Sequence, residues 1–495
     1  MALLTFVQHV QYMHRCSIQS CKSRTAGLWR GFMSKKLRIA NQITAFLAFC
    51  LLLVAQVSAQ TAAAASAPPA QEITRKVDEY MKAAVRVNRF SGAVLLARDG
   101  QPIVSRGYGM ANFEHGVPNT PQTVFRLGSV TKQFTGMAIV MLQERGKLSV
   151  NDPICKHLSD CPQAWQPITI KNLLTHTAGI PNYTEFPDFM KTAAAETTAT
   201  ELTNRFRDKP LQFPLGEKYA YSNSGYYLLG TIIERASGKS YADFLQENIF
   251  TPLAMKQTGY DSPVRLIKNR AAGYGRTSDG FINAAPISMS TAYSAGALYS
   301  TVEDLLLWDQ ALYTEKLVSR KSLDEAFTPF KSNYGYGWSI SKRYDRQVIA
   351  HGGGIFGFSS YIARYPADRV TVVVLSNVEG APSGEIANNL SAIVFGAPYE
   401  LPAERKEIQV AAKTLEKYVG QYQLTPQLVL NVTLEEGKLL AQVSTQPKLE
   451  LFAESETVFF FKTVNAQVTF VVNPQGEVTG IVFRQGGSDI PAKKI

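Results

Sequence analysis

The sequence predicts an α/β domain whose sheet takes strands from both sides of a helical insertion, followed by a small all-β barrel. Three observations carry this expectation. A hairpin signature sits early, in Gly92–Ala97, the pair Asp99-Gly100 and Pro102–Tyr108. Asp-Gly between two apolar runs marks a tight turn. Strand-like runs then return only at Gln347–Ala350, Ser359–Tyr365 and Val370–Leu375. Between them, from Asp152 to about Ala326, helical patterns alternate with Gly/Pro/Asn-rich loops. Beyond Pro402, short apolar runs recur at even spacing with turn signals between them, the pattern of a barrel or meander.

Composition bounds the rest. A chain of 495 residues is too long for one compact core, so two or more domains are expected. The net charge of +11 is concentrated at the start. The first 59 residues hold seven basic side chains and no acidic one, and without them the charge falls to +4. No Lys/Arg stripe interleaves with aromatics, which excludes a nucleic-acid partner. Lys35, Lys36 and Arg38 precede an apolar run from Ile43 to Ala55 and the small residues Val57-Ser58-Ala59. That run is shorter than the roughly 20 residues of a membrane span. Residues 33–59 therefore read as a cleavable signal peptide, which makes the protein periplasmic or secreted. An uncleaved membrane anchor is the alternative. Residues 1–32 read as an upstream extension, with Met33 the better start, and residues 60–72 as an Ala/Pro-rich linker. Cleavage leaves Cys155 and Cys161. They either close a small loop as a disulfide or stay separate thiols.

The folded part divides into residues 73–400 and 411–495. A helical pattern runs from about Ile73 to Val85. Ser129 to Arg145 reads as a helix that is apolar nearly all round, from Phe134 through Met137–Leu142. Such a helix is buried, and Gly146 is placed to stop it. In the second part Leu428, Leu430, Val432 and Leu434 alternate, and Glu435-Glu436-Gly437-Lys438 reads as a turn. Further strands follow at Leu439–Val443, Val458–Phe461, Gln467–Val472 and Val478–Phe483.

Three short patterns carry chemistry. Ser129-Val130-Thr131-Lys132 puts a hydroxyl and an amine three residues apart at a helix start, where they share a face. Burial and the helix N-terminus lower the lysine pKa and favour a neutral amine that takes the serine proton. A second Ser-x-x-Lys, Ser339 to Lys342, falls in a strand-like run. There the two side chains do not converge. Tyr221-Ser222-Asn223 supplies a phenol that can pass protons and an amide that can hold both Lys132 and a substrate carbonyl. His351-Gly352-Gly353-Gly354 follows a strand. Its glycines let substrate lie along the strand edge, and a backbone N–H there can complete an oxyanion hole.

In this order, S-x-x-K, Y-x-N and H-x-G resemble the motif set of the serine β-lactamase and penicillin-binding-protein superfamily. The Y-x-N form is similar to the branch of class C β-lactamases, D-alanyl-D-alanine carboxypeptidases, D-aminopeptidases and related esterases. Phe125-Arg126-Leu127-Gly128, Ile168–Gly179, Gly296–Ser300 and Tyr336-Gly337-Trp338 share the likeness, which covers about residues 75–400. It implies a mainly antiparallel sheet flanked by helices, with a helical insertion domain. It implies Ser129 as acylated nucleophile, Lys132 as its base and Tyr221 as proton donor and acceptor. Asn223, His351 and Gly353 would bind substrate, and the backbone N–H groups of Ser129 and Gly354 would form the oxyanion hole. The implied substrate is an ester, a D-amino-acid peptide or amide, or a β-lactam, with no metal and no cofactor, and with cell-wall association open. A non-catalytic penicillin-binding-type sensor that kept the fold is the rival reading. His351 stands where many relatives carry lysine, a fixed charge for a carboxylate. Histidine is mostly neutral at pH 7, which favours esters and amides over β-lactams. His176 belongs to a stretch that reads as a buried structural turn. The C-terminal domain would cover the cleft, bind a partner or the cell wall, or stabilise its neighbour.

Overall fold

The computed structural model describes residues 68–495, apart from 278–279, 403–404, 426–427, 444–447, 463–465 and 486–487. The expected extension 1–32, the signal peptide 33–59 and the linker up to residue 67 lie outside the described residues. Helix α1, Ala70–Arg86, begins inside the stretch expected as linker. Glu72 in its first turn and Arg86 in its last both suit the helix dipole. The hairpin follows as β1, Gly92–Arg98, and β2, Gln101–Tyr108. Its turn takes Asp99 and Gly100 at φ +52° and +73°, the twist that tight hairpins need. The insertion contributes α2, Thr131–Glu144, and α3, Asn223–Ser237. Helix α4, Val302–Ala311, is capped by Thr301, whose side chain accepts from the Asp304 amide. The chain then returns to the sheet as β3, Ser339–Arg343, β4, Arg346–Ile355, β5, Phe358–Tyr365, and β6, Val370–Ser376. Helix α5, Ser383–Phe395, closes the domain and stops at Gly396 in the left-handed region.

These strands form one six-stranded sheet in the order β3-β4-β5-β6-β1-β2, every pair antiparallel. The early hairpin thus joins the late strands, as the pattern predicts. Helices α1 and α5 cover one face and α2 and α4 the other. Strand β1 shows why its apolar run is unbroken. Val94 and Leu96 pack with Ile73, Val77 and Leu390, whereas Ala93, Leu95 and Ala97 pack with the core containing Phe134 and Leu305. Burial on both faces leaves no polar side to alternate. Every residue of α2 from Thr131 to Leu142 is buried, so this helix is held by its surroundings on all sides. In the insertion Cys155 and Cys161 are joined as a disulfide, with Cα atoms 5.4 Å apart.

The C-terminal part is a closed eight-stranded antiparallel barrel. Its strands are β7, Gly420–Thr425, β8, Leu428–Glu435, β9, Lys438–Val443, β10, Leu449–Ala453, β11, Val458–Phe460, β12, Ala466–Val472, β13, Val478–Gln485, and β14, Ser488–Lys494. Pairing of Tyr422 with Lys494 closes the ring. Leu430, Val432, Val468 and Phe470 alternate into its interior. The expected turn holds Glu436 and Gly437 at φ +50° and +77°. No helix among the described residues is long and apolar enough to cross a membrane.

Candidate active site

Ser129 sits on a single 3-10 turn, Gly128–Val130, and the α-helix proper begins at Thr131. The expected start of the helix at Ser129 is corrected by that turn. Gly128 has φ +52°, and a Cβ there would lie 2.8 to 2.9 Å from the backbone of Gly354. Only glycine allows this approach, which lays the serine turn against the end of β4.

Lys132, in the first turn of α2, is fully buried. Its Nζ lies 3.0 Å from Ser129 Oγ, 2.8 Å from Asn223 Oδ1 and 2.8 Å from the Ala295 carbonyl oxygen. Two of these neighbours can only accept. A neutral amine has two N–H groups and one lone pair. In that form the N–H groups satisfy Asn223 and Ala295 and the lone pair faces the Ser129 hydroxyl; when the amine is protonated, its third N–H donates to Ser129 Oγ. Burial holds the Lys132 pKa well below its ordinary value, which agrees with that neutral form. The second Ser-x-x-Lys lies on β3 with both Ser339 and Lys342 exposed, and the two side chains fall on opposite faces.

Tyr221 stands beside this pair, and burial pushes its phenol pKa up, so it stays protonated. Its ring centre lies 4.8 Å from Lys132 Nζ and 4.3 Å from that of His176, the two rings tilted by 38°. His176, at φ +55°, is buried and accepts from the Ser222 amide through Nδ1 at 3.1 Å. It is a structural residue, as expected, and it fixes the Tyr221-Ser222-Asn223 segment. Asn223 starts α3, and its Nδ2 donates to Thr184 Oγ1 at 3.0 Å.

His351 is 7% exposed. Nδ1 lies 2.6 Å from the Gly352 carbonyl oxygen and Nε2 lies 2.7 Å from the Tyr334 hydroxyl. The carbonyl can only accept, so Nδ1 carries the proton and Nε2 accepts from Tyr334. Burial first, and Lys132 second, hold the His351 pKa down at about 4. At neutral pH this position carries no charge.

A cavity of about 210 Å³ opens over the serine, with Ser129, Thr184, Phe189, Asn223, Gly354 and Phe356 in its lining. Two expected substrate contacts do not line it. His351 is occupied by Tyr334 and Gly352. Gly353 turns its Cα toward the core, where a Cβ would lie 2.0 Å from the Leu127 carbonyl oxygen. Both residues shape β4 next to Gly354, which does line the cavity. Three participants escaped the sequence reading. Tyr334 stands two residues before the Tyr336-Gly337-Trp338 stretch, and Thr184 belongs to no motif. Ala295 acts through its backbone, which leaves no side-chain signal.

Among the described residues no group of three or more His, Cys, Asp or Glu is arranged to hold a metal ion. The fold and the Ser129–Lys132–Tyr221–Asn223 cluster define a serine hydrolase class with a lysine beside the serine. The chain belongs to the beta-lactamase family, whose model matches residues 73–394. Residues 404–493 match a domain of unknown function, DUF3471. Penicillin-binding protein 4* of Bacillus subtilis is 32% identical over 431 residues, 81% of this chain and 94% of the relative. The teichoic acid D-alanine hydrolase of Staphylococcus aureus is 29% identical over 311 residues, 62% of this chain and 74% of that protein. Among solved structures, the D-amino acid amidase from Ochrobactrum anthropi SV3 matches with a TM-score of 0.58 at 25% identity. It covers 66% of this chain and 98% of that one.

Proposed function

We propose that the protein is a secreted hydrolase that forms an acyl-enzyme on Ser129 and acts on esters or amides of D-amino acids. The observation that carries this is the fully buried Lys132 amine 3.0 Å from Ser129 Oγ, held there by Asn223 and the Ala295 carbonyl. Ser129 Oγ attacks the substrate carbonyl carbon as its proton passes to Lys132. The backbone N–H groups of Ser129 and Gly354 receive the oxyanion. Tyr221, protonated at neutral pH, gives its proton to the leaving alcohol or amine and regains one from Lys132. Water then attacks the acyl carbon, its proton returning through the same pair, and the acid departs with Ser129 restored. Asn223 holds Lys132 and offers its amide to the substrate.

The D-amino-acid class draws on the named activities of the D-alanine hydrolase and the D-amino acid amidase. The uncharged His351 supports esters and amides ahead of β-lactams, because a β-lactam carboxylate finds no cation there. The test is a panel of short-chain esters, D-alanyl esters and amides, and a chromogenic cephalosporin. A fluorophosphonate probe is run beside it on wild type and Ser129→Ala. D-amino-acid substrates are expected to lead, with turnover and labelling both lost in the variant. Absence of Ser129-dependent labelling would sink the acyl-enzyme. Labelling without turnover of any substrate would leave a sensor.

A further inference from the structure

We propose that Arg126 and Arg270 form a second substrate subsite, an oxyanion cradle on the far side of Phe356 from Ser129. The proposal rests on the hydrolase reading above and adds the charge of the substrate to it. A cavity of about 370 Å³ lies there, with Asn112, Arg126, Arg270 and Phe356 in its lining. Phe356 lines the serine cavity as well. The partition consists of two chain segments. The turn between β4 and β5 gives Ile355 to the serine cavity and Phe358 to the second. The segment 284–287 gives Ile287 to the first and Ala284 and Pro286 to the second. Gly357, at φ +79°, seats that turn so closely that a Cβ would lie 2.7 Å from both Ala284 and Gly273. The wall is tightly packed at Gly357, and Phe356 is the residue that both cavities share.

The charge of the second cavity follows from its ion pairs. Asp261, with a side chain 1% exposed, accepts from Arg126 Nε at 2.7 Å and from Arg270 Nη1 at 2.9 Å. One carboxylate against two guanidinium groups leaves one positive charge. The two Nη groups of Arg126 and the Nε and Nη2 of Arg270 have no hydrogen-bond partner among the described residues. Glu114, bonded by the Tyr274 hydroxyl, and Glu379, bonded by the Gly357 amide, do not line this cavity. A guanidinium stays charged at any working pH and meets a carboxylate or phosphate two N–H groups at a time. The serine cavity has no guanidinium in its lining, and His351 behind it is uncharged at neutral pH. An anionic group on the substrate is therefore met several bonds from the scissile carbonyl. The ligand class is an ester or amide bearing a distal carboxylate or phosphate.

The experiment compares three otherwise identical esters carrying a distal phosphate, a distal carboxylate or a neutral methyl ether. In the wild-type full chain at low salt, kcat/KM is expected to be about tenfold higher for an anionic ester than for the neutral one. That ratio should fall toward one at high salt and in Arg270→Gln, with Arg270→Lys between. Arg126→Gln should act alike. Should it fail to fold, the more exposed Arg270 still decides. Binding of phenyl phosphate to the Ser129→Ala protein, followed by calorimetry, reads the subsite without turnover and should be lost when Arg270→Gln is added. The two anionic esters show which oxyanion the cradle prefers. A wild-type ratio of one, with no phenyl phosphate binding, overturns the subsite while neutral-ester turnover keeps the hydrolase. A preference unchanged in Arg270→Gln overturns it too. Phenyl phosphate binding without turnover of any ester supports the subsite and overturns the hydrolase.

Discussion

Gly353→Ala tests how the serine is positioned. A Cβ at this position would sit 2.0 Å from the Leu127 carbonyl oxygen and 2.3 Å from Ser360 Oγ. Ser360 itself donates to that same carbonyl at 2.6 Å. The alanine must therefore drive β4 from the Leu127–Ser129 segment, and restoring ordinary contact at 3.4 Å takes a shift of about 1.4 Å. Leu127 is backbone two residues before the nucleophile, so the shift reaches Ser129 and Gly354. A displacement on the order of 1 Å at a reacting centre costs about a hundredfold in rate, or about 2.7 kcal/mol of barrier. Overpacking lowers stability by about 1–3 kcal/mol. Gly354→Ala is the matched control for folding, because a Cβ there meets no atom within 4 Å. The assays are kcat/KM on a chromogenic ester and a thermal melt. Gly353→Ala should lose at least about a hundredfold in kcat/KM and melt several degrees lower, and Gly354→Ala should melt as wild type does. A Gly353→Ala protein within threefold of wild type, with an unchanged melt, would refute the close-approach reasoning.

Two further outcomes follow from His351 and its partner. The folded pKa of His351, about 4, lies below its ordinary 6.5, so the unfolded chain takes up the proton first as pH falls. The stability that this group contributes is complete above pH 6.5 and is lost on going down toward pH 4, on the order of 3 kcal/mol. His176 is shifted in the same direction, so His351→Gln should flatten part of the pH dependence of the urea midpoint between pH 7.5 and 4.5. An unchanged slope would contradict this. Tyr334→Phe removes the donor to His351 Nε2 and leaves a buried acceptor unpaired, at about 1–3 kcal/mol. The expected sign is a lower denaturant midpoint at pH 7.5, and a midpoint equal to wild type would count against the Tyr334–His351 bond.

What the sequence could show depended on range. The Asp99-Gly100 hairpin is local chemistry, and both its strands follow from it. Ser129 with Lys132, and Tyr221 with Asn223, are fixed spacings on helix starts, so they too were legible. Strand β14 was not. It contains Pro491 and two lysines, only Ala492 among its described side chains is buried, and backbone pairing to β13 and β7 holds it. Strands β7 and β10 likewise lack a clean alternation. Tyr334 reaches His351 only once the segment before β3 folds against β4, and Thr184 meets Asn223 across 39 residues. The Ala295 carbonyl reaches Lys132 through a segment in which Tyr293 takes φ +39°, a backbone feature that no residue type announces. The packing of Gly353 on Leu127 was not legible, because a glycine-rich strand edge reads alike whether its bare face meets a ligand or a neighbouring carbonyl.

The register of the main sheet also orders events during synthesis. Strand β1 pairs with β6, Val94 opposite Val374, so its partner emerges about 280 residues later. At roughly 5–20 residues per second the hairpin waits on the order of 15–55 s for that partner. Throughout that interval a strand made almost wholly of aliphatic residues presents an open hydrogen-bonding edge. The nascent chain is thus most exposed to aggregation before its last quarter has been made, and a helper that shields the segment 92–98 would act in that window.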